Sequence, residues 1–481
     1  MQPIKVLAFD FGASSGRAVL GSYTDGALTY REIHRFENTP IQAGDTLRWD
    51  FDALFAEVQE GIRKAGPVDS LGFDTWGVDF GLLDADGVLL EPPTHYRDAR
   101  TQGMVEAAYT KIAANRLYAY TGNQIMPINT LFQLLAVQKY QPELWQKAKK
   151  LLFMPDLFAY QLCGKAVCEE SIASTSQMLD PVSEVWSQPV LEAFGIPGTL
   201  FAAPVRSGTV IGAAPCVGGS AKVIAVAGHD TQCAVAALPT DKENVAFLSC
   251  GTWSLLGTEL RAPVLTERSR QLALSNEQGA NGRINYLKNI IGLWLIQESR
   301  REWKRQGRDY TYAELEKLAL AAPPLRSFID PDAPQFTPPG DIPSRVQAFC
   351  QRTGQPVPET VGQIMRCIYE SLALKYRYAL GQLTTATGKH FEALHVLGGG
   401  AKDKLLCQMT ANSCNIPVVA GPIEATALGN ILIQLVALRV LPDLAAGRAL
   451  IAQSETLKQY QPKEKETWKY AYKIYRTILK E

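Results

Sequence analysis

Hydrophobic positions come first in a strand-length run, Lys5-Val6-Leu7-Ala8-Phe9, which leads into Asp10-Phe11-Gly12. After Gly16 an extended pattern resumes through Arg17-Ala18-Val19-Leu20-Gly21-Ser22-Tyr23 and stops at Asp25-Gly26, a hairpin signal. The spacing then shifts to helical: Leu54, Phe55, Val58 and Ile62 share one face, Asp50 or Asp52 serves as N-cap, and Gly66-Pro67 stops the helix. Strand, turn, strand, turn, strand, helix, strand is the order of an α/β layer. A similar order returns halfway along. Val245-Ala246-Phe247-Leu248 is a strand, Ser249-Cys250-Gly251-Thr252 a turn of small residues, and Trp253 to Gly257 extended again. This predicts a weak internal repeat and two related α/β domains, residues 1–240 and 241–481, linked near Leu238-Pro239-Thr240-Asp241-Lys242-Glu243. Two unrelated hairpins would read the same way at this level. Further on, Val361, Ile364, Ile368, Leu372, Tyr376, Leu380 and Leu383 mark a long helix ending near Gly388. Phe391 to Leu397 then forms a strand feeding Gly398-Gly399-Gly400, and Pro323-Pro324 and Pro338-Pro339 mark loops.

Bulk properties narrow the function. The 481 residues exceed what one core organises, and 46% hydrophobic with 20% charged residues is ordinary for a globular protein. Lys+Arg and Asp+Glu both total 48, so a general nucleic-acid binder is disfavoured. No apolar run approaches the ~20 residues that span a bilayer, and the start lacks the pattern of a secretion signal. Nine cysteines without a Cys-x-x-Cys pair read as reduced thiols of a cytoplasmic protein, with a local Cys350–Cys367 bridge left open.

Four clusters carry candidate chemistry, and each has a plainer reading beside it. In Asp10-Phe11-Gly12-Ala13-Ser14-Ser15-Gly16-Arg17, the small residues suit a turn whose amides surround phosphate oxygens; Arg17 adds a cation and Asp10 a hard oxygen for Mg²⁺. A structural tight turn uses the same residues. The segment also matches Gly-x-Ser-x-Gly, but that nucleophile elbow needs a helix where Arg17 to Tyr23 reads as a strand. No Walker A sequence occurs. Val223 to Ala227 delivers Gly228-His229-Asp230-Thr231, where Asp230 is placed to orient a hydroxyl or to cap the following helix. Leu71 to Phe80 reads as one strand, with Asp74, Trp76 and Val78 on one face and Thr75, Gly77 and Asp79 on the other. There the indole beside Gly77 forms a wall for a sugar, or simply packs in the core. Gly398-Gly399-Gly400 admits an adenine ring or a phosphate to the backbone or is merely a turn, and Ser249 to Thr252 is a turn of small residues. His34, His95, His390 and His395 lack metal-ligand spacing.

Taken in order, Asp10 to Arg17, Asp74-Thr75-Trp76-Gly77-Val78-Asp79-Phe80, His229-Asp230-Thr231, Ser249 to Ser254 and Gly398 to Gly400 resemble the FGGY carbohydrate kinases. The resemblance runs from about Val6 to Leu435. It is closest to members acting on L-rhamnulose, through Asn129-Thr130-Leu131-Phe132-Gln133, Met154-Pro155-Asp156, Lys288 to Leu295 and Ala420 to Ala425. It implies two actin-like, RNase H-type α/β domains with the active site in the cleft between them, the N-terminal one binding sugar and carrying the phosphate hairpin, the C-terminal one binding nucleotide. It further implies that Ala13, Ser14, Ser15, Gly16, Arg17, Thr252, Gln297 and Gly399 bind ATP, and that Asp10 positions Mg²⁺, through water. Gly77, His229, Asp230, Thr231 and Asn289 would line the ketose site, with Asp230 as catalytic base, and the product would be L-rhamnulose 1-phosphate.

Gly81, Gln232-Cys233 and Ala401-Lys402-Asp403 depart from the usual pattern. A kinase of L-fuculose or xylulose, a silent sugar sensor, and a chaperone-like ATPase remain as alternatives. Neither a nucleic acid nor a membrane is expected as partner. Monomer and homodimer are both left open.

Overall fold

The computed structural model describes residues 2–216 and 218–479. The first strand signal becomes Ile4–Phe11, and it pairs antiparallel with Ser15–Thr24, which pairs in turn with Ala27–Glu37. Asp25 and Gly26 join the last two with φ of 50° and 85°, the doubly positive geometry that a tight hairpin asks for. On its other side Ile4–Phe11 runs parallel to Ser70–Thr75, which is followed in the sheet by Gly219–Ala225 and Thr209–Cys216.

Both faces of this six-stranded sheet are covered, which is why Val6 to Phe9 is apolar without a break. Leu7, Phe9 and Phe11 pack with Leu54, Val58 and Ile62 of helix Phe51–Ala65. Val6 and Ala8 pack with Leu428, Ile431 and Leu432 of helix Ala425–Ala437. Asp50 is the N-cap, accepting from Ala53 N at 3.1 Å, and Gly66 ends the first helix at φ 69°. A second core lies around strands Phe80–Leu83 and Lys150–Phe153 and helix Thr130–Tyr140.

A second sheet repeats this plan. Val245–Cys250 pairs antiparallel with Trp253–Leu260 and parallel with Ala393–Leu397, which runs parallel to Val418–Ala420. Lys458–Tyr460 closes one edge. A hairpin whose first strand lies parallel to later strands is thus common to both sheets, and gives the repeat a topological basis. The long helix spans Val361–Thr387, opened by a Thr360–Gln363 capping box and closed by Gly388 at φ 70°. Cys350 and Cys367 are buried as free thiols.

The chain divides into two units, but not by one cut. The first holds Met1–Asp241, Glu259–Tyr286 and Ala425–Ser454; the second holds Lys242–Thr258, Leu287–Glu424 and Glu455–Glu481. The first crossing follows Asp241, and the two later returns, which a division into 1–240 and 241–481 leaves out, are not marked by composition.

Candidate active site

Within the first unit, Asp10 lies near the end of its strand, paired in register with Arg17 across the hairpin and with Asp74 on the parallel neighbour. Ala13, Ser14 and Ser15 make the hairpin tip. Asn38 braces it, its side-chain amide donating to Gly12 O at 2.8 Å and its N–H to Ser14 O at 3.2 Å. Gly16 has no room for a side chain, because a Cβ there would sit 2.3 Å from the Phe36 ring. Arg17 donates from Nε and Nη2 to Asp10 Oδ2 at 2.9 and 2.7 Å. The guanidinium therefore rests on Asp10 and forms a fork that also matches phosphate. The strand that follows Ser15 confirms that Gly12 to Gly16 is no nucleophile elbow.

Asp230 begins helix Asp230–Ala236 as its first residue, so His229 and not Asp230 holds the N-cap position. Its Oδ1 accepts from the N–H of Thr231 at 2.6 Å and faces His229 Nε2 at 3.5 Å. Burial pushes the Asp230 carboxyl up to about 6; His229 opposes the rise and Asp10 adds to it. The side chain is still 32% exposed, so it ionises below neutral pH and keeps an open face for a hydroxyl. Asp74 is fully buried and pushed well above the usual carboxylate range by burial, then by Asp10; Asn430, donating at 2.6 Å, counteracts. Its other oxygen, Oδ1, has no partner.

The loop carrying Asp230 is pinned by Glu169. That carboxylate accepts from Gly228 N at 2.9 Å, Ser171 N at 2.9 Å, Ile172 N at 3.1 Å and Ser171 Oγ at 2.6 Å. Thr75 N donates to Gly228 O at 2.8 Å from the other side. His229 Nδ1 lies 3.0 Å from Glu277 Oε2.

One strand expectation is corrected. Leu71 to Phe80 does not alternate throughout, because the strand ends at Thr75 and a new one starts at Phe80. Between them the N–H of Asp79 donates to Gly77 O at 3.0 Å and Val78 sits at φ 70°, a γ-turn that a branched residue adopts only under constraint. The constraint comes from Thr130 Oγ1, donating to Val78 O at 2.7 Å, and Thr175 Oγ1, accepting from Val78 N at 3.1 Å. Trp76 and Asp79 consequently meet rather than point apart. Asp79 accepts from the indoles of Trp76 at 2.9 Å and Trp49 at 2.7 Å, from Tyr96 N at 3.1 Å and from Gln133 at 3.0 Å. Burial still raises its carboxyl to about 6 against those donors. Trp76 is thus a buried support, its ring 4.0 Å from that of Trp49 and tilted 35° to it, and not a flat wall; Gly77 remains half-buried.

The second unit gathers the other residues singled out from the sequence. Thr252 Oγ1 donates to Gln297 Oε1 at 3.2 Å, and Thr252 O accepts from Gly292 N and Trp294 N, each at 3.1 Å. The hairpin tip is so docked on the start of helix Trp294–Arg305. Asn289 lies on strand Ile284–Ile291 just before it. Gly400 is buried, and a Cβ on it would lie 2.2 Å from Cys250 Sγ. Gly399 is exposed with open space where a Cβ would go, as backbone approach by a ligand requires. Asp403 N-caps helix Lys404–Cys414 and accepts from Tyr369 at 2.7 Å, which gives the last of the three variant residues after the glycines a structural task. Gly81 is explained as well: Leu89 and Leu157 already fill the space, 2.7 and 2.8 Å from its would-be Cβ.

Comparison with known proteins decides the family. The N-terminal domain of the FGGY family of carbohydrate kinases matches residues 5–237, and its C-terminal domain residues 246–438. A rhamnulokinase of Bacteroides thetaiotaomicron is 44% identical over 475 residues, covering 97% of each chain. The chain belongs to the FGGY family of carbohydrate kinases. A rhamnulokinase of Enterococcus faecalis is 41% identical, covering 95% of this FGGY kinase and 94% of its own length. Among solved structures, gluconate kinase from Lactobacillus acidophilus superposes with a TM-score of 0.80 at 19% identity, covering 99% of this chain and 98% of its own. Glycerol kinase of Plasmodium falciparum with ADP gives 0.78 at 14% identity, covering 99% and 98%. The solved structures establish the fold as that of the actin-like sugar kinases; the family models and the curated relatives establish carbohydrate phosphorylation, with ATP as the donor the family implies. Among the described residues no helix is long and apolar enough to cross a membrane.

Around the expected residues of this FGGY kinase, the structure adds Glu169, Glu277 and Trp49, and gives Asp79, already marked by its sequence segment, its buried partners. No local pattern in the sequence marks the first three.

Proposed function

We propose that this kinase transfers the γ-phosphoryl group of ATP to the C1 hydroxyl of L-rhamnulose, giving L-rhamnulose 1-phosphate and ADP. The observation that carries the substrate is identity of 40–44% to rhamnulokinases over 95–97% of the chain. Asp230 is the base. Its pKa of about 6 leaves it ionised at neutral pH yet more basic than a free aspartate, suited to align a hydroxyl and take its proton as the phosphoryl group arrives. His229, Thr231 and Gly77 contact the ketose, and Asn289 completes its recognition. Ala13 to Arg17 hold phosphate oxygens, for which Arg17 exchanges its bond to Asp10. Thr252, Gln297 and Gly399 bind the nucleotide. On this reading the first unit is the sugar domain with the phosphate hairpin, and the second is the nucleotide domain.

Mg²⁺ suits the donor set: Asp10 is a hard oxygen ligand at a strand end, and the neighbouring Asp74 Oδ1 is a buried oxygen without a partner. Asp10 would hold the cation through water, and the cation would neutralise phosphate charge. The enzyme works in the cytoplasm, where its sugar and ATP are found.

The deciding experiment is sugar-dependent ADP release with Mg-ATP across L-rhamnulose, L-fuculose, D- and L-xylulose, L-ribulose and glycerol. Strong preference for L-rhamnulose is expected. Preference for another ketose overturns the substrate but keeps the kinase, and sugar binding without turnover points to a sensor.

A further inference from the structure

The imidazole of His229 is engaged at both nitrogens. Nε2 faces Asp230 Oδ1 at 3.5 Å, and Nδ1 meets Glu277 Oε2 at 3.0 Å. Glu277 is 3% exposed and arrives on strand Ser275–Gln278, from the segment that returns to the first unit late in the chain. A second donor fixes the same oxygen: Gln232 Nε2 reaches Glu277 Oε2 at 2.7 Å. Gln232 Oε1 in turn accepts from Asn285 Nδ2. Gln232 and Asn285 are both essentially inaccessible. The direction of every bond is then determined. A carboxylate only accepts, so the Gln232 amide must donate to Glu277, and Nδ1 of His229 must carry a proton.

An imidazole left to itself can exchange tautomers or flip. The partner of one ring nitrogen decides what the other presents. We infer that Glu277 is a positioning residue, backed by Gln232 and Asn285, that holds His229 by its Nδ1–H with Nε2 turned toward Asp230 and toward the sugar hydroxyl docked beside it. The ketose recognised is therefore one that places a second oxygen next to the hydroxyl being phosphorylated, within reach of Nε2. This rests on the sugar site proposed above. It also gives Gln232, where small residues are usual, a specific task.

The charges facing the ring agree. Burial alone would disfavour the imidazolium, but Glu277, then Asp230 and Glu169, outweigh it and raise the His229 pKa. Ser171 Oγ accepts from the His229 backbone N–H at 3.3 Å and adds no charge.

The test is E277Q together with Q232A, read in two ways. In the unliganded protein, with ¹⁵N-labelled histidine, the chain's five histidines give a small set of ring signals. His229, assigned by loss of its signal in H229N, should stay protonated to higher pH in the natural protein than in E277Q. In sugar kinetics, kcat/KM for the ketose should fall about 10- to 100-fold in E277Q, the scale of one hydrogen bond to a charged group. KM for ATP should stay within twofold. Q232A should move both readouts the same way by less, and it decides alone if E277Q does not fold. An unchanged His229 titration, or equal losses toward sugar and ATP, would overturn the inference. The ring signals are read without substrate, so they decide the positioning role even if the sugar turns out to be a different one.

Discussion

At the scale of single residues, the proposed mechanism depends on how one carboxylate is kept usable. Asp230 has a pKa of about 6, raised mainly by burial, so protonation removes the base as pH falls through that value. A plot of kcat/KM against pH should accordingly show an acidic limb near 6, rising toward neutrality, and a limb near the free-aspartate value of ~3.9 would contradict the assignment. Asp230→Asn should keep sugar affinity, measured by calorimetry, while turnover falls by on the order of 10²–10⁴. The sequence singles out Asp230 by its place after a strand, but on that residue alone a helix cap is the favoured reading. The helix start excludes that role, since His229 takes the N-cap position. Glu277 could not be found in this way, because it stands 48 residues from the histidine it orients.

At the scale of elements, the glycine turns separate structural from ligand-facing positions. Gly399 and Gly400 are indistinguishable in sequence, yet only Gly400 abuts Cys250. Gly400→Ala should lower stability by about 1–3 kcal/mol in denaturant unfolding, the usual cost of overpacking. Gly399→Ala should unfold at an unchanged denaturant concentration while raising KM for ATP. Equal stability losses in the two variants would count against the division. The segment Asp74 to Phe80 shows where periodicity fails. Alternation assumes a continuing strand, but the hydrogen bonds of Thr130 and Thr175 bend the chain at Val78, and both come from distant parts of the sequence. The strand prediction was sound only as far as Thr75.

At the scale of the whole molecule, the first unit is completed by chain from the second half. Helix Ala425–Ala437 covers one face of the first sheet, and Asn430 and Gln434 reach Asp74 and the Leu7 carbonyl at 2.6 and 3.0 Å. Strand Ser275–Gln278 supplies Glu277. A fragment ending at Asp241 would leave Val6, Ala8, Val19 and Ile224 exposed. It should be unfolded or aggregated by circular dichroism and light scattering, and a soluble, cooperatively unfolding fragment would refute this dependence.

The sequence by itself marked the two hairpins and the helices with one apolar face, the turn glycines, and Asp10 and Asp230 as candidate carboxylates. These depend on local periodicity and on residue chemistry at strand ends, which neighbours in the chain reveal. The tertiary structure alone decided that Trp76 is a support, that Gly81 has no space to fill, that Gln232 backs Glu277, and that two late segments return to the first unit. Each of these depends on which distant side chains share a volume or a hydrogen bond, and local pattern carries no record of that.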